Sequence, residues 1–174
     1  IACGIDVRLG ARIERIDRGV VELVDGAMLP YDALLVAIGA EPAGELLDGP
    51  RGIPTDELGR TSFPGVYACG DVALFAGSRV EHWTSASGQA ATVAATILGE
   101  PQPYLETPYF WSDQFGVRLQ MVGSTEGCDT VELEGDTDSF AARYTDAEGR
   151  TRAVLLANRP REIAAARREL AAAA

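Results

Sequence analysis

Cysteine and histidine are scarce in this chain of 174 residues, which has three cysteines, Cys3, Cys69 and Cys128, and one histidine, His82. The cysteines are far apart and form no CxxC pair. That spacing argues against a zinc or other metal site, a disulfide framework and thiol–disulfide chemistry, and it fits a reducing, cytoplasmic compartment. Long apolar runs are lacking as well. Stretches such as ALLVAIGA and AATVAATIL are too short to span a bilayer, so no membrane partner is expected. Positive charge is in deficit, with 15 basic residues against 26 acidic ones and a net charge of −11. The electrostatic footprint of a nucleic-acid binder is therefore missing. No G-x-G-x-x-G turn occurs, so the usual backbone cradle for a dinucleotide pyrophosphate is not in this sequence. GPRGIPTDELG is no substitute, because no strand leads into it and no helix follows. The start, IACGIDVRL, has neither an initiating Met nor a signal-peptide pattern. It reads like the middle of a domain, and the chain is expected to be a fragment or a processed product.

What is present reads as soluble and globular, with 47% hydrophobic and 24% charged residues. IDVRL, ARIERI and VVELV alternate in a β manner, and Asp25-Gly26 is a hairpin turn signal before AMLPY. YDALLVAIGAEP is a continuous apolar run closed by Gly39 and Pro42, the pattern of a central strand covered on both faces. Residues 43–60 are rich in Gly, Pro and charge and read as a connection holding one short strand. TSFPGVYACGDVA reads as a strand ending on Cys69-Gly70-Asp71. EHWTSASGQAATVAATILGEPQP is a helix that Thr84 or Ser85 can cap and that Gly99 and Pro101 end. From residue 104 onward, four or five short antiparallel strands are expected, separated by Asp/Gly turns. A terminal helix follows, opened by Pro160, with Ile163, Ala166 and Leu170 as its apolar stripe. The fold class is α/β plus α+β: the tail of a dinucleotide-binding architecture followed by an antiparallel-sheet domain with helices.

The Gly-Asp pair carries the chemistry. In open α/β sheets, ligands sit beyond the carboxyl ends of strands. Gly70 permits close backbone approach, and an ionised Asp71 only accepts hydrogen bonds. Such a carboxylate grips hydroxyls and repels phosphate, so the ligand portion it suits is a polyol or ribose. The plainer alternative is an Asp capping a turn.

TSFPGVYACGDVA resembles the second flavin motif of two-dinucleotide-fold flavoproteins. EHWTSASGQAATVAATILGE, PYFWSDQFGVRLQMVG and the Asn-Arg-Pro at 158–160 narrow the resemblance to the ferredoxin and rubredoxin reductases. That family includes putidaredoxin reductase and the reductase components of aromatic-ring dioxygenases, and it is related to apoptosis-inducing factor. The resemblance implies that Gly70, Asp71 and Val72 face the ribityl and pyrophosphate part of FAD. It puts Glu81, His82 and Trp83 beside the isoalloxazine and the nicotinamide site, and Trp111 on the wall where NADH enters. LLVAIGAEP resembles the second glycine signature of the nicotinamide domain, with Gly39 near the cofactor junction. Residues 1–43 would end an NAD(P)-binding domain, 44–102 an FAD-binding domain, and 103–174 would form a C-terminal reductase domain.

Hydride transfer from NADH to a flavin needs no protein base, so His82 is assigned contact and no catalytic residue is named. Cys69 reads as a small apolar filler. For Trp111 the plain alternative is packing, and for Glu81 a solvated charge. The implied activity is that of an FAD-dependent NADH (or NADPH) oxidoreductase. Its partner would be a [2Fe–2S] ferredoxin or a rubredoxin serving an oxygenase. Arg79, Arg159, Arg161, Arg167 and Arg168 are the candidates for a basic docking face. Two alternatives stay open: a reductase of the same fold with another acceptor, and a cofactor-free interaction module.

Overall fold

The computed structural model describes residues 4–47 and 51–172. Cys3, the middle of the 43–60 connection and the last alanines of the tail lie outside the described residues. The chain clusters into two compact units, residues 1–40 and 41–174.

The first unit holds a three-stranded antiparallel sheet of β1 (Ile13–Asp17), β2 (Val20–Leu23) and β3 (Met28–Pro30), in that order. The Asp25-Gly26 turn forms as expected between β2 and β3. The Asp25 carboxylate accepts the Ala27 N–H at 2.9 Å, and Gly26 takes φ +86°. Only one face of β2 is buried, at Val21 and Leu23. IDVRL joins no strand. The run YDALLVAIGAEP, expected as a central strand, is not a strand either, and Leu35 and Ile38 are 88% and 87% exposed. A central parallel strand needs a hydrogen-bonded neighbour on each side. Here the run has neither neighbour, since β1, β2 and β3 pair only with one another among the described residues.

In the second unit, β4 (Ile53–Thr55) pairs in parallel with β5 (Ala73–Phe75). The Gly-Asp segment corrects the sequence reading. It is not the end of a strand but a 3-10 turn, Gly70–Val72, that leads into β5. Gly70 has φ +75°, which breaks the extended chain, and its N–H is donated to the side-chain oxygen of buried Gln89 at 2.8 Å.

Gln89 belongs to α1 (Trp83–Ile97), which lies against this turn. The expected caps Thr84 and Ser85 fall inside the helix. His82 occupies the N-cap position without a side-chain cap. The Thr84 hydroxyl donates instead to the Tyr109 carbonyl at 3.0 Å, tying the helix start to the following sheet. The helix ends as expected: Gly99 has φ +84° and the Glu100 N–H reaches back to the Ala95 carbonyl at 2.9 Å. Ile53, Ala68, Ala73 and Phe75 form a small core here, with Val93 and Tyr104 against it.

The rest of the unit is a five-stranded antiparallel sheet, at the upper end of the expected number. Its strands are β6 (Tyr109–Gln114), β7 (Val117–Gly123), β8 (Thr130–Gly135), β9 (Phe140–Thr145) and β10 (Thr151–Ala157), in the order β6-β7-β10-β9-β8. A 3-10 turn at Pro160–Glu162 opens α2 (Ile163–Ala172). The expected stripe seats it: Ala166, Leu170 and Ile163 meet Val122, Ala141, Val154 and Leu156.

Asn-Arg-Pro proves to be a structural corner. Asn158 has φ +54°; its side-chain oxygen accepts the Arg118 N–H at 2.8 Å and its amide donates to the Asp138 carbonyl at 2.7 Å. Arg159 pairs with Glu134 at 3.1 Å, and Pro160 starts the 3-10 turn.

Candidate functional site

Seven of the eight candidate residues lie in the second unit: Gly70, Asp71, Val72, Glu81, His82, Trp83 and Trp111. Gly39 belongs to the first unit, where it takes φ +106° and a Cβ placed on it would meet open space.

The turn Gly70–Val72 sits beside α1 because the buried Gln89 carboxamide anchors its first amide. The Asp71 side chain is exposed and accepts no hydrogen bond among the described residues. Arg79 links this turn to the approach to the helix. Its guanidinium donates to the Asp71 carbonyl at 3.5 Å and pairs with the Glu81 carboxylate. Glu81 is thus an ion-paired group rather than a freely solvated charge.

Next comes an aromatic cluster at the start of α1. The His82 ring meets Phe110 edge-on at 5.1 Å and Trp111 at 5.6 Å. Trp83 meets Trp111 edge-on at 6.4 Å, and Tyr109 stacks with Trp111 at 5.8 Å and 24°. Trp83 is 72% exposed and Trp111 40%, so large flat faces are open to a ligand. The His82 Nδ1 lies 3.2 Å from the Thr84 hydroxyl. A crevice of about 330 Å³ opens beside the cluster, lined by Arg79, Glu81, His82, Phe110 and Glu126 among others.

Sequence reasoning missed Arg79 as part of this site, and also Tyr109, Phe110 and Gln89. Tyr109 and Phe110 flank Trp111 inside the quoted PYFWSDQ. Gln89 carried no local signal, because its partner is 19 residues away.

The expected basic face does not assemble as read. Arg79 is taken by Glu81. Arg159 is only 17% exposed at its side chain and pairs with Glu134 at 3.1 Å and Glu162 at 3.5 Å. The Glu134 hydrogen bond raises the Arg159 pKa, and Arg159 in turn lowers that of Glu134. Arg167 lies over the Tyr109 ring. Arg161 and Arg168 remain exposed.

Among the described residues no group of three or more His, Cys, Asp or Glu side chains is placed to hold a metal ion. Among the same residues no helix is long and apolar enough to cross a membrane.

The residues present fit a flavin dinucleotide. An unpartnered acceptor-only carboxylate suits ribityl hydroxyls, and the open tryptophan faces suit a planar ring. The first N–H groups of α1 lack intrahelical acceptors and suit partial negative charge. The Gly70 N–H is already engaged by Gln89, so pyrophosphate oxygens would take other amides.

The second unit is thus a parallel strand pair with a helix beside a Gly-Asp turn, followed by an antiparallel sheet and a terminal helix. Residues 1–90 match the family model described as pyridine nucleotide-disulphide oxidoreductase, and residues 109–174 match that described as reductase C-terminal. The chain belongs to the pyridine nucleotide-disulphide oxidoreductase family.

Among curated relatives, it is 42% identical to the 5,5'-dehydrodivanillate O-demethylase ferredoxin reductase subunit of Sphingobium sp. (strain NBRC 103272 / SYK-6). That match covers 82% of this chain and 40% of the relative. It is 34% identical to the ferredoxin–NAD(+) reductase component of the p-cumate 2,3-dioxygenase system of Pseudomonas putida, over 95% of this chain and 44% of that protein. Among solved structures, it resembles the covalent putidaredoxin reductase–putidaredoxin complex with a TM-score of 0.87. The two are 30% identical, over 99% of this chain and 46% of that one. The chain thus spans less than half the length of these relatives.

Proposed function

We propose that this chain is the C-terminal part of an FAD-dependent NADH (or NADPH) oxidoreductase that delivers electrons to a [2Fe–2S] ferredoxin or a rubredoxin serving an oxygenase. One observation carries the reading. His82, Trp83 and Trp111 converge at the start of α1, and an exposed, acceptor-only Asp71 sits on the turn against which that helix packs. Residues 1–43 are then the end of an NAD(P)-binding domain, 44–102 the end of an FAD-binding domain and 103–174 the reductase C-terminal domain, in a cytoplasmic protein.

When bound, FAD supplies two-electron acceptance from the reduced nicotinamide and one-electron release to the iron–sulfur partner. The chain's own residues bind and orient. Asp71 accepts hydrogen bonds from ribityl hydroxyls, while Gly70 and Val72 let the ligand approach the turn. Trp111 and Trp83 wall the ring and exclude water, with Phe110 beside them. His82 contacts the ring edge and moves no proton. Glu81, held by Arg79, shapes the nicotinamide side. For Gly39, in the first unit, the role is the one that the likeness of LLVAIGAEP to the second glycine signature implies. The amides at the start of α1 favour negative charge on the neighbouring ring.

Asp71→Ala in the whole reductase tests this reading. Loss of a charge-assisted hydrogen bond is expected to weaken flavin binding by roughly ten- to a hundred-fold. Flavin absorbance retained after desalting reads it, and full retention would remove Asp71 from the site. The chain by itself lacks the glycine-rich phosphate turns and is expected to hold FAD weakly or not at all. A flavin spectrum surviving desalting of the isolated chain contradicts that expectation.

A further inference from the structure

Tyr109 is the joint of the second unit. Its carbonyl accepts the Thr84 hydroxyl from α1 at 3.0 Å, and its hydroxyl accepts the side-chain amide of Gln120 at 2.7 Å. Its ring lies under the Arg167 guanidinium from α2, 4.6 Å from the ring centroid, and stacks with Trp111. Tyr109 and Trp111 are two residues apart on β6 and so share one face. Gln120 sits directly across from Trp111 on β7 and is buried. Its side-chain oxygen has no partner among the described residues. An unpartnered buried acceptor is costly, so the amide's bond to Tyr109 is the visible role of a polar residue at that position.

Arg118, Arg143, Arg150 and Arg159 are each ion-paired, whereas Arg152 of β10 has no ion pair among the described residues. Arg167 differs, because its described contact is an aromatic face. An arginine over a ring gains from the ring quadrupole and restricts the ring's rotation.

We infer that Arg167 acts through Tyr109 as a positioning residue for Trp111, so that the C-terminal helix sets the geometry of the aromatic wall. Gln120 assists from β7 by holding the tyrosine hydroxyl. What the wall contacts rests on the function proposed above; how the wall is held does not.

The test reads Trp111 in the 174-residue chain without flavin. With Trp83→Phe in every variant, Trp111 is the sole tryptophan, since the chain has two. Losing a cation–ring contact at a partly exposed site should shift the stacked-to-unstacked population about two- to five-fold. Arg167→Ala is therefore expected to raise the unstacked population by that factor, seen in fluorescence-lifetime amplitudes and acrylamide quenching, with the melting temperature nearly unmoved. Arg167→Lys should restore most of the parent signal, and Arg168→Ala should match the parent. An unchanged Trp111 signal in Arg167→Ala overturns the proposal, as does an equal change in Arg168→Ala. If Arg167→Ala does not fold, Arg167→Gln keeps most of the side chain and removes the cation from the ring. It should loosen Trp111 about two-fold, and a Trp111 unmoved in that variant also overturns the proposal. Because no flavin is present, failure here leaves the flavin-site reading untouched, and the Asp71 test leaves this proposal untouched.

Discussion

Two antiparallel sheets in one chain show how much the burial of a sheet owes to an apolar run with a helix to cover it. In the first unit, every residue of β1 is exposed and burial is confined to one face of β2. In the second, Val122, Val154 and Leu156 are almost wholly buried, because α2 lays Ala166 and Leu170 on them. ARIERI carries charge at three of its six positions, whereas TRAVLLAN holds an unbroken apolar run from Ala153 to Ala157, buried at four of its five residues. The apolar run becomes core because a covering element rests on it, since a face is buried only where something apolar lies against it.

The largest effect should come from the register of the covered sheet. Gly123, with φ +91°, lies where β7 meets β10, and a Cβ there would collide with the Arg152 carbonyl. Gly123→Ala is expected to cost about 3 kcal/mol or more in urea unfolding of the second unit. Leu156→Ala should cost about 2–5 kcal/mol in the same measurement. A loss below about 1 kcal/mol for Leu156→Ala would mean that α2 does not cover the sheet as described.

Gln89→Leu comes next. It leaves the Gly70 amide without its acceptor, and a penalty of about 1–3 kcal/mol is expected. In the whole reductase the same change should weaken flavin retention by displacing the Asp71 turn. Asn158→Gly follows, and it separates strain from bonding. Glycine relieves the positive φ but removes both side-chain hydrogen bonds, so a net loss of about 1 kcal/mol is expected. A gain in melting temperature would show that strain outweighs the bonds at this corner.

Acidification sharpens the same contrast between the sheets. Hydrogen bonds from Arg118 to Asp113, from Arg159 to Glu134 and from the Arg150 backbone to Asp146 lower these carboxyl pKa values from 3.8, 4.5 and 3.8 respectively. Groups with depressed folded values stabilise the fold above the ordinary carboxyl range. They lose that contribution as pH falls through the lower folded values. The second unit should therefore hold its melting temperature to about pH 4 and lose it below, by a modest amount because Asp113 and Glu134 are exposed and the largely covered Asp146 pairs with an exposed arginine. High salt should shrink the effect.

The smallest change is expected from Val21→Ala in the first unit. Its sheet has little core to lose, so the main unfolding midpoint should not move. A shift as large as that of Leu156→Ala would show that the first unit is stabilised by burial comparable to the second.

Much of the fold was legible because it rests on local chemistry. The Asp25-Gly26 turn, the Gly99 helix end and the Ile163-Ala166-Leu170 stripe each depend on residues within a turn or two of one another. The misreadings share a different origin. YDALLVAIGAEP has the composition of a central strand, but a strand is a relation to neighbours, and none of the described residues pairs with it as a strand. Arg159 looked like a docking cation until Glu134, 25 residues away, proved to hold it. Gly70-Asp71 reads in sequence as a strand end, yet it lies in a 3-10 turn whose first amide is held by a glutamine on the next helix.

By itself the sequence determined the Asp25-Gly26 turn, the Gly99 helix end, the short strands after residue 104 and the terminal helix, together with the family resemblance and the residue types able to meet a flavin. Propensity, side-chain period and donor–acceptor inventory are local properties that residue order carries directly. Only the tertiary structure decided that Trp83 and His82 converge on Trp111, that Glu134 holds Arg159, and that Arg167 reaches Tyr109 from the far end of the chain. Those are contacts between segments distant in sequence. They form where packed elements bring side chains within a few ångströms, and no local pattern specifies that distance.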